Sequence, residues 1–489
     1  MSNESAKISS PDQPRQLPRL LIPGLTNQVD GYDGGVPAWL MLDGLSVRVD
    51  NTWVASIDDI VSIVSMPDMT LLAIKQVAPG EEHHNSYFFS IPAEKLPEGE
   101  LRLGYVVNYK GSKDDYEVSY PLSVLIKTDL PAGEDLEPIE PGHSELAFTL
   151  STLTVFPPDA TKGVNAVIEP YPNMHAEDRI HFQWGGLTIV QKVAGVGQPT
   201  LIVINYAQIA SAGDSENLLA GFYVVDLVGN VSAPRSGYRH VRVELTSAQW
   251  DGPFIQSDDP PGYIDIEKLA GGNLTVGMYT PARVGRAGDW YVITFKAYPP
   301  LGGEVVHRRI VTISRAGTVT YHEVPYSKVR AAAGGRVELS YELIRADDLV
   351  NQTSKKTFAE VLGTVARLEA PYFEKYPEDI VRIETELVVT LPWYAWRTSQ
   401  DRLTLILRFV KSLNEIILYS VTKPVGSFWG DDQPIQWVIR GADIEQFAGY
   451  APDLYFVYES TSESPSVKAR STDLNESVRR RVQILSGLD

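Results

Sequence analysis

The chain contains no cysteine among its 489 residues, which removes disulfides, zinc–thiolate sites, iron–sulfur clusters and thiol nucleophiles at once. Basic charge is in short supply: 43 Lys and Arg stand against 62 Asp and Glu, a formal net charge of −19. Such an excess of acid opposes sequence-independent binding to phosphate backbones or anionic lipid, so no nucleic acid partner is expected. No apolar run reaches the roughly eighteen residues of a membrane-spanning helix, so no membrane insertion is expected either. The opening segment MSNESAKISSPDQPRQLPRLLIPGL carries no apolar stretch of signal-peptide length, and export would have to use a route without a cleavable signal. Helical periodicity is nearly absent. G-x-S-x-G and G-x-x-x-x-G-K-[ST] are missing, and so is the strand-to-helix setting of a dinucleotide site.

What the chain does have is 43% hydrophobic residues, 38 glycines and 33 prolines, with alternating apolar and polar residues between the breaks. In GELRLGYVVNY, Leu101, Leu103, Tyr105 and Val107 share one face of a strand. Related blocks follow as LLAGFYVVD, GRVELSYELIR and PDLYFVYES, with Tyr105, Tyr223, Tyr341 and Tyr458 spaced 118, 118 and 117 residues apart. So regular a period predicts repetition.

Each tyrosine block is preceded by a strand and a short helical or turn connection ending in Leu96, Ile209, Val329 or Ile444. Earlier still, Asp59, Asp178, Asp289 and Asp401 each open an alternating strand, with Trp53, Tyr171, Tyr279 or Trp393 a few residues before. Proline-rich breaks place a polar tail at residues 1–16 and modules at 17–129, 130–246, 247–363 and 364–489. About seven short strands per module predict an all-β chain. The expected architecture is four tandem immunoglobulin-like antiparallel β-sandwich domains arranged as an elongated rod.

The loop after the second tyrosine strand, DLVGNVS, could hold calcium, carry a catalytic dyad or simply turn the chain. Calcium wants six to eight oxygens, and this loop supplies about three. Gly229 and Asn230 tolerate positive φ, Asp226 can accept from the amides beyond it and Ser232 can close the turn, so a turn is expected. The third module has a degenerate version, RADDLVNQTS. The strand tyrosine followed by D-x-x-G-N-x-S resembles the last hairpin of bacterial immunoglobulin-like tandem repeats, found in large surface and secreted adhesin-type proteins. IEPYPNMHAEDRIHFQWGG is similar to the proline–aromatic–proline, acidic, tryptophan-strand pattern of such modules. The resemblance implies adhesion, spacing or display and no catalytic residues.

Other chemistry is thinly represented. Asp214 and Ser215 in AGDSENL read as an exposed turn rather than a nucleophile and its partner. His83 with His84, and His175 with Asp178 and His181, fall in or beside predicted loops, where solvated histidines are common. Asp258 and Asp259 at a module junction keep calcium as a minority cofactor; otherwise no cofactor or metal is expected. Arg479, Arg480 and Arg481 form a small basic cluster on the final strand.

The most suggestive stretch is TLPWYAWRTSQD, with Trp393, Tyr394, Trp396 and Arg397. Aromatic faces beside a guanidinium suit a sugar ring or a protein partner. Trp393 falls in the aromatic column and is expected to pack, whereas Tyr394 and Trp396 have no such role assigned. The sequence therefore predicts a noncatalytic bacterial adhesion, binding or spacer element, not an enzyme. Its partners would be a protein or glycan on a cell surface, and it would lie outside or on the cell, with a cytoplasmic location as the alternative. A carbohydrate-binding accessory module using the fourth-module aromatics is the rival. A hydrolase with an acidic site between modules is a third class.

Overall fold

A computed structural model describes residues 16–26, 29–138, 140–246, 249–280, 286–300, 303–315, 317–345, 352–412, 415–427, 433–459 and 476–487. The chain is all-β with several separate sheets, and it divides into two compact units, Met1–Thr128 with Arg408–Tyr419 and Asp129–Leu407 with Ser420–Asp489. The third module's RADDLVNQTS loop falls largely on residues 346–351, outside the described residues.

In the first unit, Ile60–Met66 lies between Thr70–Gln76 and Gly99–Asn108, all antiparallel, and Leu122–Lys127 continues the sheet. Gly34–Pro37 closes its edge parallel to Leu122–Lys127. Leu45–Asp50 pairs with Ser86–Ile91 on a second layer. Val47, Phe89 and Ile91 from that layer and Val61, Ile63, Leu103 and Val124 from the first meet in one buried core. The period-2 alternation is the cause: it turns one face of each strand away from water, and only a facing sheet can cover it.

The second unit shows the same wiring. Arg179–Trp184 sits between Leu187–Lys192 and Ser215–Val225, with Arg239–Val243 beyond and Thr154–Val155 parallel to it at the edge. Phe148–Leu150, Val164–Ile168 and Thr200–Ile204 form the facing sheet, over a core holding Phe148, Phe182, Trp184 and Phe222. Farther along, Trp290–Tyr298 lies between Val305–Thr312 and Arg336–Ile344, followed by Thr357–Leu362 and a parallel edge at Tyr263–Asp265. Near the end, Ile380–Arg382 is again parallel to the last strand, Gln483–Leu485, and Glu386–Leu391 pairs with Ile435–Arg440.

Two small devices recur at the expected positions. The strand-opening aspartates are buried, from 0% to 3% exposed. Each carboxylate accepts the backbone N–H three residues back: Ser56 to Asp59, His175 to Asp178, Arg286 to Asp289 and Thr398 to Asp401. The amide of each aspartate donates to the carbonyl of that same residue, so a tight turn is locked before the strand begins. The short connections are also present, at Ala93–Lys95, Tyr206–Ala212, Tyr326–Arg330 and Gly441–Ile444. They seal Leu96, Ile209, Val329 and Ile444 inside.

The tyrosine column needs correction. Opposite the core residues Ile63, Phe182 and Ile293 stand Tyr105, Phe222 and Tyr341. The same positions are marked by a serine hydroxyl that accepts the strand amide: Ser119 from Tyr105, Ser236 from Phe222 and Ser354 from Tyr341. Ser477 accepts from Phe456 in the same way. In all four, the serine amide donates back to the partner's carbonyl. The structural equivalents are therefore Tyr105, Phe222, Tyr341 and Phe456. Tyr223 points to the other face, opposite His181, on which it stacks at 4.9 Å.

The aromatic column changes too. Trp53 Nε1 and Tyr171 Oη donate to Asp59 and Asp178, but Tyr279 is 55% exposed and holds no such place. The sheets of the second unit are also not merely strung on linkers. Phe358, from Thr357–Leu362, is fully buried in the core that holds Phe182 and Trp184, and Asn217 brackets its backbone through Nδ2 to Phe358 O (2.6 Å) and Oδ1 from Phe358 N (3.3 Å).

Candidate binding cleft

The loop DLVGNVS is a turn. Asp226 Oδ1 accepts the amides of Val228, Gly229 and Asn230 at 2.8–3.1 Å, and its Oδ2 accepts Asn230 Nδ2 at 3.0 Å. Gly229 sits at φ +97°, which a side chain resists. Ser232 Oγ accepts the Val224 amide and closes the hairpin. These carboxylate bonds are the ones an Asx-type turn makes for itself.

The four residues expected to form a recognition patch do come together, but inside the protein. Tyr394 and Trp396 are each 4% exposed and Arg397 6%, whereas Trp393 is half-buried. Tyr394 stacks edge-on to Tyr458 and lies 5.4 Å from Trp396. Its position seven residues before Asp401 matches Tyr171 before Asp178, so Tyr394, not Trp393, fills the packing column. Trp393 receives Lys328 over its ring at 5.2 Å, and the Trp396 carbonyl lies against Gly303. An open aromatic platform is thus absent; the segment is core and junction. Burial, with Tyr458 and Asp401 nearby, pushes the Tyr394 hydroxyl well above the ordinary tyrosine range.

The other candidates have structural work. Asp214, 4% exposed, accepts the Leu245 and Thr246 amides, and Ser215 is fully buried, so this is not the exposed turn expected. His175 Nδ1 accepts the Glu177 amide. Asp259 receives Lys268 Nζ at 2.6 Å. Arg480 pairs with Asp379 and Arg479 with Glu476. Among the described residues, no group of three or more His, Asp or Glu is placed to hold a metal ion.

What local patterns missed is a cleft of about 630 Å³ where two stretches of the second unit meet. One wall comes from residues 183–188 and 231–235, the other from 298–300, 303–304, 334–336 and 360–365. Arg336, 3% exposed, crosses the junction: its Nε donates to Gly185 O at 2.9 Å, and its guanidinium lies 4.6 Å from the centre of the Tyr298 ring. Tyr298 Oη donates to Glu338, which also holds Lys356 at 3.0 Å. Desolvation, reinforced by Glu338, drives the Tyr298 hydroxyl far upward.

Arg235 makes the second bridge, to Glu360 at 3.3 Å and to Gly335 O at 3.4 Å, while stacking on Tyr238 at 3.9 Å. Tyr238 Oη in turn donates to Gln183 Oε1. Gly186 lets the walls approach: a Cβ there would fall 2.6 Å from Glu338 Oε2 and 2.7 Å from Tyr298 Oη. Two carboxylates, Glu304 and Glu360, line the space, but each is engaged by a cation, Lys296 and Arg235. A general acid here would have to leave its ion pair. No local signal announced the cleft, because its residues are spread over more than 180 positions and Arg235 stands three residues beyond the recognisable turn.

No family model matches the sequence, and no curated protein matches it. Among solved structures, a tetra-tandem repeat in the extending region of a large adhesion protein aligns with a TM-score of 0.20 and 11% identity, over 92% of this chain and 98% of that one. A structure concerned with host cell surface retention of a 1.5-MDa bacterial ice-binding adhesin aligns at 0.15 and 13%, over 70% and 99%. A Salmonella α2-macroglobulin mutant aligns at 0.18 and 8%, over 96% of this chain and 36% of that one. Scores of this size carry no functional conclusion, and the fold stands on its own strand pairing.

Proposed function

We propose that the chain is a noncatalytic adhesion, binding or spacing element made of four tandem immunoglobulin-like sandwich domains, working at or outside a bacterial cell surface on a protein or glycan partner. The observation that carries it is the fourfold recurrence of the aspartate-locked turn and the serine-closed hairpin. Such devices make stiff, interchangeable modules, and a chain of stiff modules suits holding and spacing surfaces. In support, the acid groups checked above are consumed by backbone amides or ion pairs. Among the described residues no helix is long and apolar enough to cross a membrane.

The test is binding of the labelled full chain to intact bacterial and host cells, with the supernatant monitored for released sugars or peptides. Saturable binding without release is expected. Release of soluble fragments over time would contradict a noncatalytic role, and no saturable binding to any surface would sink adhesion and leave spacing alone.

A further inference from the structure

We propose that the cleft bounded by Gln183, Tyr223, Tyr298, Glu304 and Arg336 is a binding site for an uncharged saccharide of one to a few rings. This deepens the adhesion role proposed above, and rests on it only in taking the sugar from a cell-surface glycan.

Size comes first. At about 630 Å³ the space lies within the roughly 300–1,000 Å³ of small-molecule sites, too small for a folded partner. Charge decides the class. Each ionic group identified in the walls is already met: Arg235 by Glu360, Arg336 by Gly185 O and the Tyr298 face, and Glu304 by Lys296. A charged ligand drawn to Arg235, Glu360 or Glu304 would have to break an ion pair and strand its partner, and Arg336, 3% exposed and spent on Gly185 O and the Tyr298 face, presents little charge to the space; a neutral ligand leaves all of these contacts intact. The remaining hydrogen-bonding capacity suits hydroxyl groups, which both donate and accept. Glu304 is exposed, with carboxylate capacity beyond its lysine; Gln183 uses its oxygen on Tyr238 and keeps its amide nitrogen; the Thr188 side chain is exposed at the mouth.

The apolar share of the wall fits the same ligand. Tyr223 rests one face on His181 and is half-buried, with Pro234 and Pro300 around the same space. Flat, weakly polar surfaces of this kind pack against the C–H face of a pyranose. Pre-fixed walls lower the ordering cost of binding, and here they are fixed by bonds that cross the junction, Arg336 to Gly185 and Arg235 to Glu360.

The experiment is ligand-observed saturation-transfer NMR on the full chain. The panel is glucose, galactose, mannose, N-acetylglucosamine, lactose and cellobiose, with N-acetylneuraminic acid, glucose 6-phosphate and a proline-rich peptide as comparators. At least one neutral sugar is expected to show transfer. Thr188→Trp, which fills the mouth from an exposed position, should abolish it, and Glu304→Ala should weaken it about tenfold, with unchanged thermal unfolding in both.

Transfer confined to the charged sugars or the peptide would overturn the ligand class. Neutral-sugar binding that survives both substitutions would overturn the location. No transfer from any compound would overturn the site. Cell binding without sugar binding would remove the cleft and leave adhesion standing; sugar binding without cell binding would do the reverse.

Discussion

Two stretches of the second unit look opposite in sequence and turn out opposite in exposure. Residues 393–397 carry two tryptophans, a tyrosine and an arginine in five positions, yet Tyr394, Trp396 and Arg397 are all buried. The cleft near Arg235 and Arg336 has no comparable density of aromatic and cationic residues in any one segment, yet it offers a space of about 630 Å³ lined by both apolar and polar groups. The difference teaches that aromatic density reports how much surface a segment needs to bury, whereas a recognition site depends on which distant segments the fold leaves slightly apart.

Truncation should separate the two regions most sharply. Trp396→Ala or Phe358→Ala should each cost about 3–5 kcal/mol, the usual range for removing a buried large aromatic. Urea unfolding followed by tryptophan emission and circular dichroism would check this. A loss within about 0.5 kcal/mol for Trp396→Ala, as expected of an exposed surface residue, would return residues 393–397 to the surface. Phe358→Ala should also make the module containing Trp184 unfold separately from the one that supplied the phenylalanine.

Next in size is Asp178→Ala, which leaves the Tyr171 hydroxyl and the His175 amide without their acceptor; about 1–3 kcal/mol of destabilisation is expected. Asp226→Ala should fall in the same range, and millimolar calcium should leave the melting temperature of the unaltered protein where it was. A calcium-dependent rise would contradict the turn.

The pH behaviour of Tyr394 gives a third distinction. Its folded-state value is raised by burial first and by Tyr458 and Asp401 after that. The stability tied to this shift is complete below the unfolded tyrosine value of about 10 and is lost as the pH climbs toward the raised folded value. Tyrosinate absorbance should show Tyr394 ionising only with unfolding, as the difference between the unaltered chain and Tyr394→Phe. Tyr87 and Tyr105 in the first unit, both pushed up to about 12 chiefly by burial, should lose their contribution between about pH 10 and 12. Ionisation of Tyr394 near pH 10 in the folded chain would restore it as an accessible platform.

The aspartate landmarks were legible because the same backbone requirement, a turn locked three residues back, imposes one short acidic side chain on each repeat. The helical connections were legible for a similar reason: one apolar residue must plug each core. The tyrosine column misled by one residue at Tyr223 and by two at Tyr458. Hydrophobicity marks a strand but does not fix its phase where both faces are covered, and Val224, Val225 and Phe456 are buried beside these tyrosines. Register is held instead by Ser119, Ser236, Ser354 and Ser477, a residue type too common to stand out. Phe358 was invisible as a neighbouring core's residue because nothing in its strand distinguishes burial in its own module from burial in the next. The cleft followed from the same blindness to which modules touch.

Amide hydrogen exchange on the full chain, with and without the neutral sugar that gives saturation transfer, tests the contrast most directly. The Phe358 amide held by Asn217 and the Arg397 amide bonded to Tyr394 O should be protected in the free protein, and sugar should add protection only at 183–188, Tyr298 and 334–336. Rapid exchange at 393–397 that slows when sugar is added would contradict the account and place recognition on the aromatic segment.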